Sequence, residues 1–341
     1  MESSLYNKSR KIRKERYKTL KALILAVIIL IPIEGVFRIL EENELLDEPY
    51  LWGSRNIIPY KINDCIDLFS QPEHSDKLKV IAIGDSFCVT GFNPYFFDDY
   101  FNQSTITYNF GIMGTAARAQ SFLIEKVLIP RFAPDAVIWM VNSPFDFVFN
   151  EETIAEDNSI LDTPMGRYYS GHLNDMSLEE LSETLFLKFS RLYKYRKMFI
   201  PKQFSPELKA EIEEFEKMYS RGFRYSFGII NNTAPPFRML IWEKEFDSLA
   251  GNLFENAINI CKDKQIIHLI VSIPQYFACI YYYYTDQFFQ QLPQKNFFNL
   301  NNLNSTFCNN LLYFDNLHLN VFGAQLYTTL VAEKFEECVS T

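Results

Sequence analysis

Hydrophobic and polar positions along the chain fall into two regimes, short continuous apolar runs and longer amphipathic stretches. From Leu78 to Ile83 every side chain except Lys79 is apolar, and the run stops at Gly84-Asp85-Ser86. Such a run predicts a strand in a parallel sheet covered on both faces. Thr105–Phe110, which ends at Gly111, and Ala136–Val141 read the same way, as does Ile266–Ile273, halted by Pro274. Helical patterns lie between them, at residues 115–129 and near Glu243–Lys262. Strands alternating with helices predict βαβ units and a doubly wound α/β sheet. Residues 150–225 break this rhythm with charged, amphipathic patterns at Leu178–Tyr195 and Pro206–Tyr219. They read as a helical insertion, at about 150–260, that caps the sheet. A loop and a C-terminal helix carrying Leu326, Leu330 and Phe335 close the chain. The four tyrosines Tyr281–Tyr284 and the Asn-rich stretch Asn299–Asn310 form no interpretable motif, and no internal repeat is present.

The N-terminus has another character. Ala22–Ile33 is unbroken apolar sequence, and with its flanks it reaches about 18 residues, close to the ~20 that span a bilayer. A cleaved signal peptide shares the basic start and short apolar core, but no small-x-small cleavage site follows, so an uncleaved signal anchor over residues 20–39 is expected. A buried core helix is the bland alternative. Eight Lys or Arg side chains before the run instead fit a cytoplasmic tail, residues 1–21, with everything beyond about residue 40 outside. Glu34 is then expected at the outer interface or against a partner helix. Residues 40–77, polar and holding Pro49, Pro59 and Pro72, read as a neck leading to a main domain over 78–341.

Charge sharpens this division. The chain has 341 residues and a net charge of −9, yet residues 1–21 carry +6 and the remaining 320 carry 25 cations against 40 carboxylates, or −15. A body that acidic repels a phosphate backbone, which argues against nucleic acid as a partner.

Three elements converge on candidate chemistry. Ser86 follows a predicted central strand, where open α/β sheets bind ligands and where the next helix N-terminus favours a developing oxyanion. Taken alone, Gly-Asp-Ser is also an ordinary helix-capping turn. Asp315 and His318, three residues apart on one loop, suit a base held through Nδ1 with Nε2 turned to a serine. His268 lies inside an apolar strand, and His74 and His172 sit in polar segments without an acid–serine context, so His318 is the base by elimination. Gly111 and Asn142 end the second and third strands, and with the Ser86 N–H they are candidate oxyanion donors; otherwise they are a turn glycine and a capping or turn amide.

Taken jointly, these blocks resemble the SGNH (GDSL) hydrolase superfamily. Gly84-Asp85-Ser86-Phe87 is similar to its nucleophile block, and Asn109-Phe110-Gly111 to its glycine block. Asp315-Asn316-Leu317-His318, followed by Asn320 and Gly323-Ala324, is similar to its Asp-x-x-His block. The likeness covers about 78–147 and 266–337. The third block departs from the usual Gly-x-Asn-Asp: here the strand ends Val141-Asn142-Ser143-Pro144-Phe145-Asp146, without the glycine. The resemblance implies a three-layer, flavodoxin-like sheet and catalysis by Ser86, His318 and Asp315. Its implied oxyanion hole is formed by Ser86, Gly111 and Asn142. With an anchor, the chain looks like membrane-tethered SGNH-like proteins of cell-envelope acyl transfer, which implies an esterase or O-acyltransferase acting on acyl esters of an envelope polysaccharide or polymer. A catalytically degenerate polysaccharide-binding or assembly scaffold is the alternative. Partners implied are the glycan substrate, the membrane and an envelope-assembly membrane protein. The 32 Phe and 20 Tyr are compatible with glycan stacking but more simply explained by packing.

Cys65, Cys88, Cys261, Cys279, Cys308 and Cys338 form no Cys-x-x-Cys pair and have no His at metal spacing, so no metal is expected. One or two disulfides suit an exoplasmic domain, and buried thiols are the alternative. The chain has no glycine-rich phosphate loop, and no cofactor is called for.

Overall fold

The computed structural model describes residues 2–43, 45–52, 54–142, 146–147, 151–170, 176–196, 206–227, 246–273, 289, 292–293, 295–300, 307, 309–315 and 318–340. Helices are α1 (Glu2–Glu42), α2 (Ile57–Phe69), α3 (Ser86–Gly91), α4 (Pro94–Tyr100), α5 (Ala117–Leu123), α6 (Ile129–Phe132), α7 (Glu151–Leu161), α8 (Pro164–Ser170), α9 (Leu178–Phe189), α10 (Arg191–Lys194), α11 (Pro206–Met218), α12 (Ser248–Asp263) and α13 (Val321–Val339). Strands are β1 (Leu78–Ile83), β2 (Thr105–Asn109), β3 (Ala136–Val141), β4 (Tyr219–Ser220), β5 (Phe223–Arg224), β6 (Ile267–Ser272) and β7 (Phe297–Asn299). The chain divides into two compact units. One comprises residues 1–49 and 175–205, the other 50–174 and 206–341.

The larger unit is an α/β domain around a five-stranded parallel sheet in the order β2-β1-β3-β6-β7. The expected strands appear within a residue or two of their predicted ends. In β3, side chains on both faces are buried, as its unbroken apolar run requires. On one face Val80, Ala82, Ile138, Met140, Leu269 and Val271 pack with Phe97 of α4 and with Val331 and Phe335 of α13. On the other, Trp139 lies 4.4 Å from Phe254 of α12, ring to ring, and its indole N–H donates to Gln120 of α5 at 2.7 Å. The chain leaves β1 for β2 on one side and returns to β3 on the other, which opens a crevice at their carboxyl ends.

Part of the expected neck belongs to this unit. Ile58, Ile62, Cys65 and Phe69 recur at helical spacing and bury one face of α2. The expected insertion is divided as well: 175–205 groups with α1, whereas 151–170, 206–227 and 246–263 belong to the sheet unit.

In the smaller unit, α1 holds one segment, Tyr17–Glu42, long and apolar enough to cross a membrane, with a mean hydropathy of 2.5 over its most apolar window. Such a helix suits a membrane anchor and equally a signal sequence. Glu34 faces the α9–α10 corner. Its carboxylate accepts from the Ser190 hydroxyl at 2.9 Å, the Arg191 and Leu192 N–H groups at 2.8 and 2.9 Å, and Arg38 Nε at 3.1 Å. Glu41 pairs with Arg191 and with Lys194 Nζ at 2.8 Å, and Phe37 stacks on Tyr195. The helix predicted over Leu178–Tyr195 is therefore broken at Ser190, whose hydroxyl caps α10.

Candidate functional site

The Asp85 side chain caps α3 by accepting from the Phe87 N–H at 2.9 Å, which fixes Ser86 as the first helical residue at the end of β1. Ser86 Oγ lies 2.9 Å from His318 Nε2. On its other side the ring's Nδ1 is 2.8 Å and 3.0 Å from the two Asp315 oxygens. Since a carboxylate only accepts, Nδ1 carries the proton and Nε2 is left to accept from the serine. Asp315 Oδ1 also takes the His318 backbone N–H at 2.8 Å, so one carboxylate fixes both loop and ring. Phe314 stacks on the imidazole at 5.6 Å, and Phe87 lies 5.5 Å away on a tilted ring.

The loop is held from below. Asn320 caps α13 by accepting from Phe322 and Gly323 N–H, and its amide donates to Leu311 O at 2.7 Å. A side chain at Gly323 would strike Leu312 O at 2.2 Å, so glycine is required there. Asn316 and Leu317 lie outside the described residues.

Asn142, at the end of β3, is linked to the Ser86 turn through Asp85: its Nδ2 donates to Asp85 Oδ2 at 3.2 Å, and its backbone N–H donates to Asp146 Oδ2 at 2.7 Å. Asp146 is thus a buried support of Asn142, a role that sequence left unassigned. Burial raises the Asp85 carboxyl above its ordinary range, with the Phe87 and Asn142 hydrogen bonds pulling down. Burial, then the charge of Asp85, pushes the Asp146 carboxyl well above its ordinary range. Ser143, Pro144 and Phe145 lie outside the described residues.

Gly111 departs from its expected role. Its N–H donates to Asn109 Oδ1 at 2.9 Å instead of being presented to the crevice. A Cβ there would lie 2.8 Å from Val89 N and 2.9 Å from Cys88 Cβ, so the glycine lets the β2 loop close on α3. Asn109 is the knot: its amide donates to Cys88 O at 2.6 Å and Phe92 O at 2.7 Å, and its oxygen also accepts from Cys88 Sγ at 3.3 Å. Cys88 is buried and burial pushes its thiol up, so the thiolate that nucleophilic attack needs is disfavoured. Cys65, Cys261 and Cys338 are also free and buried, whereas Cys279 and Cys308 lie outside the described residues, as do Tyr281–Tyr284.

Two contributors were missed. Lys61 of α2 is fully buried and donates to the carbonyls of Asn109 at 3.0 Å, Gly111 at 2.7 Å and Gly222 at 2.8 Å. Burial lowers its ammonium to about 7. The second is the β4–β5 hairpin. Arg221 O accepts from Asn109 N–H at 3.0 Å, and Gly222, at φ +74°, approaches so closely that a Cβ would lie 1.9 Å from Asn109 O. Beyond it, Ser226 O accepts from Val321 N–H at the start of α13. The segment therefore runs from the glycine block to the histidine helix as one wall of the crevice, carrying the stacked rings of Tyr225 and Phe227.

Among the described residues, no group of three or more His, Cys, Asp and Glu side chains is arranged to hold a metal ion. No protein-family model matches the chain, and no curated protein sequence matches it significantly.

Proposed function

We propose that this protein is a membrane-anchored SGNH-like serine esterase or O-acyltransferase that works on acyl esters of a cell-envelope polysaccharide or polymer. The observation that carries this reading is the relay Ser86 Oγ–His318 Nε2 at 2.9 Å with His318 Nδ1–Asp315 at 2.8 Å. Serine is a weak nucleophile until a base removes its proton, and an oriented imidazole does so. Ser86 Oγ attacks the ester carbonyl as its proton passes to His318 Nε2. The oxyanion is met by the Ser86 N–H, at the α3 N-terminus, and by one N–H of Asn142 Nδ2 while its other holds Asp85, each such donor contributing roughly 3 kcal/mol at the transition state. On collapse His318 returns the proton to the leaving alkoxide and the acyl group stays on Ser86. Water or a glycan hydroxyl, deprotonated by the same imidazole, then takes the acyl group and frees Ser86. The acid side chains flanking Asn142 and the Asn109 knot under α3 support this reading, because they hold donor and nucleophile in register.

In the same proposal α1 is an uncleaved anchor, with its basic N-terminal tail in the cytoplasm and the sheet unit outside, in line with the cations before the span. A second, non-catalytic reading as a polymer-binding or assembly scaffold draws on the Gly111 N–H, which is engaged with Asn109 and is not offered as an oxyanion donor.

Turnover of a chromogenic acetyl ester, with and without an oligosaccharide acceptor, tests the proposal. Hydrolysis that Ser86→Ala abolishes is expected, and acceptor-dependent acetyl transfer marks the transferase. Ester turnover and cellular phenotype unchanged in Ser86→Ala favour the scaffold.

A further inference from the structure

The apolar exposure of the smaller unit does not end with α1. In α9, Leu178, Phe186 and Phe189 are 84%, 57% and 71% exposed. At about 100° per residue these positions share one helical face, within about 80° of arc, opposite the buried Thr184 and Leu187. An apolar stripe of this kind on a helix that starts with a capping box is built to be helical, and although the Tyr193 ring lies 5.3 Å from Phe186, its three residues stay more than half exposed.

Its position says what does. Arg38 of α1 donates to Phe189 O at 2.7 Å, and Glu34 takes the Ser190 hydroxyl and the next two backbone N–H groups. The exposed Phe189 ring therefore projects beside the last turns of a helix whose own apolar side chains, Ile31, Val36 and Ile39 among them, are equally exposed. At Phe189 the two surfaces meet, and one medium covering both accounts for their exposure. The cations at this corner are held by carboxylates, Arg191 and Lys194 by Glu41 and Arg196 by Glu183, so the corner is tied together by its own ion pairs. Glu34, costly in a bilayer if unpartnered, has its partners supplied by the α9–α10 corner. We infer that α9 is a lipid-facing collar: it lies in the headgroup region beside the outer end of α1, with Leu178, Phe186 and Phe189 seated among acyl chains. The inference rests on reading α1 as a membrane span, and it goes beyond the proposed chemistry.

Tryptophan reporters in the full chain, reconstituted into phosphatidylcholine vesicles with or without brominated acyl chains, test it. Phe189→Trp and Leu178→Trp report the collar, Leu25→Trp reports the span, and emission of the wild type is subtracted. Because the collar positions are exposed, a larger ring fits without repacking. The expected result is that brominated lipid removes more than half of the added emission at all three positions and that aqueous iodide removes little. Quenching at 25 with iodide-accessible emission at 178 and 189 overturns the collar and leaves the span intact. Emission at 178 and 189 shielded from both quenchers assigns the stripe to a second copy or another protein and also overturns it. Absence of lipid quenching at all three positions overturns the span and, with it, the collar.

Discussion

Strand β3 and helix α1 are both apolar runs, and they meet opposite fates. Ile138 of β3 is wholly buried between two helical layers, whereas Ile28 of α1 is 59% exposed. Six apolar residues suffice in the strand because helices of the same chain cover both faces. In α1, residues Leu20–Leu30 stay exposed among the described residues, on a helix long and apolar enough to cross a membrane. Apolarity therefore states that a surface is to be removed from water, and length and neighbours state by what.

The sharpest way to break this comparison is to place one charge in each region. Ile138→Asp buries a carboxylate without a partner and costs about 5 kcal/mol or more, enough to unfold a domain of ordinary stability. Ile28→Asp leaves the thermal transition of the sheet unit where it was, while a larger share of the protein leaves the membrane pellet. Melting curves in detergent and fractionation check the pair. Next in size is the site itself. His318→Ala is expected to lower kcat on an acetyl ester at least about a thousandfold, with the melting temperature little changed.

Lys61→Met tests whether the site rests on its buried scaffold. Three carbonyls lose their donor, at roughly 1 kcal/mol or more each, so stability falls by about 3 kcal/mol in denaturant titrations. The smallest effect concerns Asp157, whose Oδ1 accepts from Ala116 N–H at 2.8 Å and whose carboxyl burial raises to about 6. The folded state holds this proton more tightly than the unfolded chain does. The stability it contributes is thus present at low pH and lost as pH rises from about 4 through about 6, by at most about 3 kcal/mol. Asp157→Asn keeps the acceptor and removes the charge. It is expected to flatten that decline and to exceed the wild type in stability at pH 7, as urea midpoints measured at about pH 4 and at pH 7 would register.

The parts that were legible in sequence were local. β1, β2, β3 and β6 declare themselves because a strand buried on both faces has no polar alternation. Ser86, Asp315 and His318, which the structure brings within hydrogen-bond distance, stood out because a loop spacing of three suits an acid–imidazole contact and the serine follows a central strand. The engagement of the Gly111 N–H was not legible because a glycine after a strand serves a close approach as readily as an exposed N–H, and here the Asn109 side chain takes it. Lys61 was invisible because a lysine on an amphipathic helix normally points to water. Gly222 acts on Asn109, more than a hundred residues before it, and no local pattern carries that; Asp146 acts on Asn142, four residues away, but through a backbone N–H that sequence does not display. The insertion read as one cap because its helices share a composition; what divides them is that Glu34 and Glu41 of α1 bind residues 190–195.

The central claim is that Ser86 is an activated nucleophile, and covalent labelling tests it most directly. Folded wild-type protein treated with a fluorophosphonate and read by intact and peptide mass spectrometry is expected to carry one adduct, on Ser86, that His318→Ala no longer acquires. A folded wild type that remains unlabelled, or that is labelled equally in His318→Ala, would contradict the account.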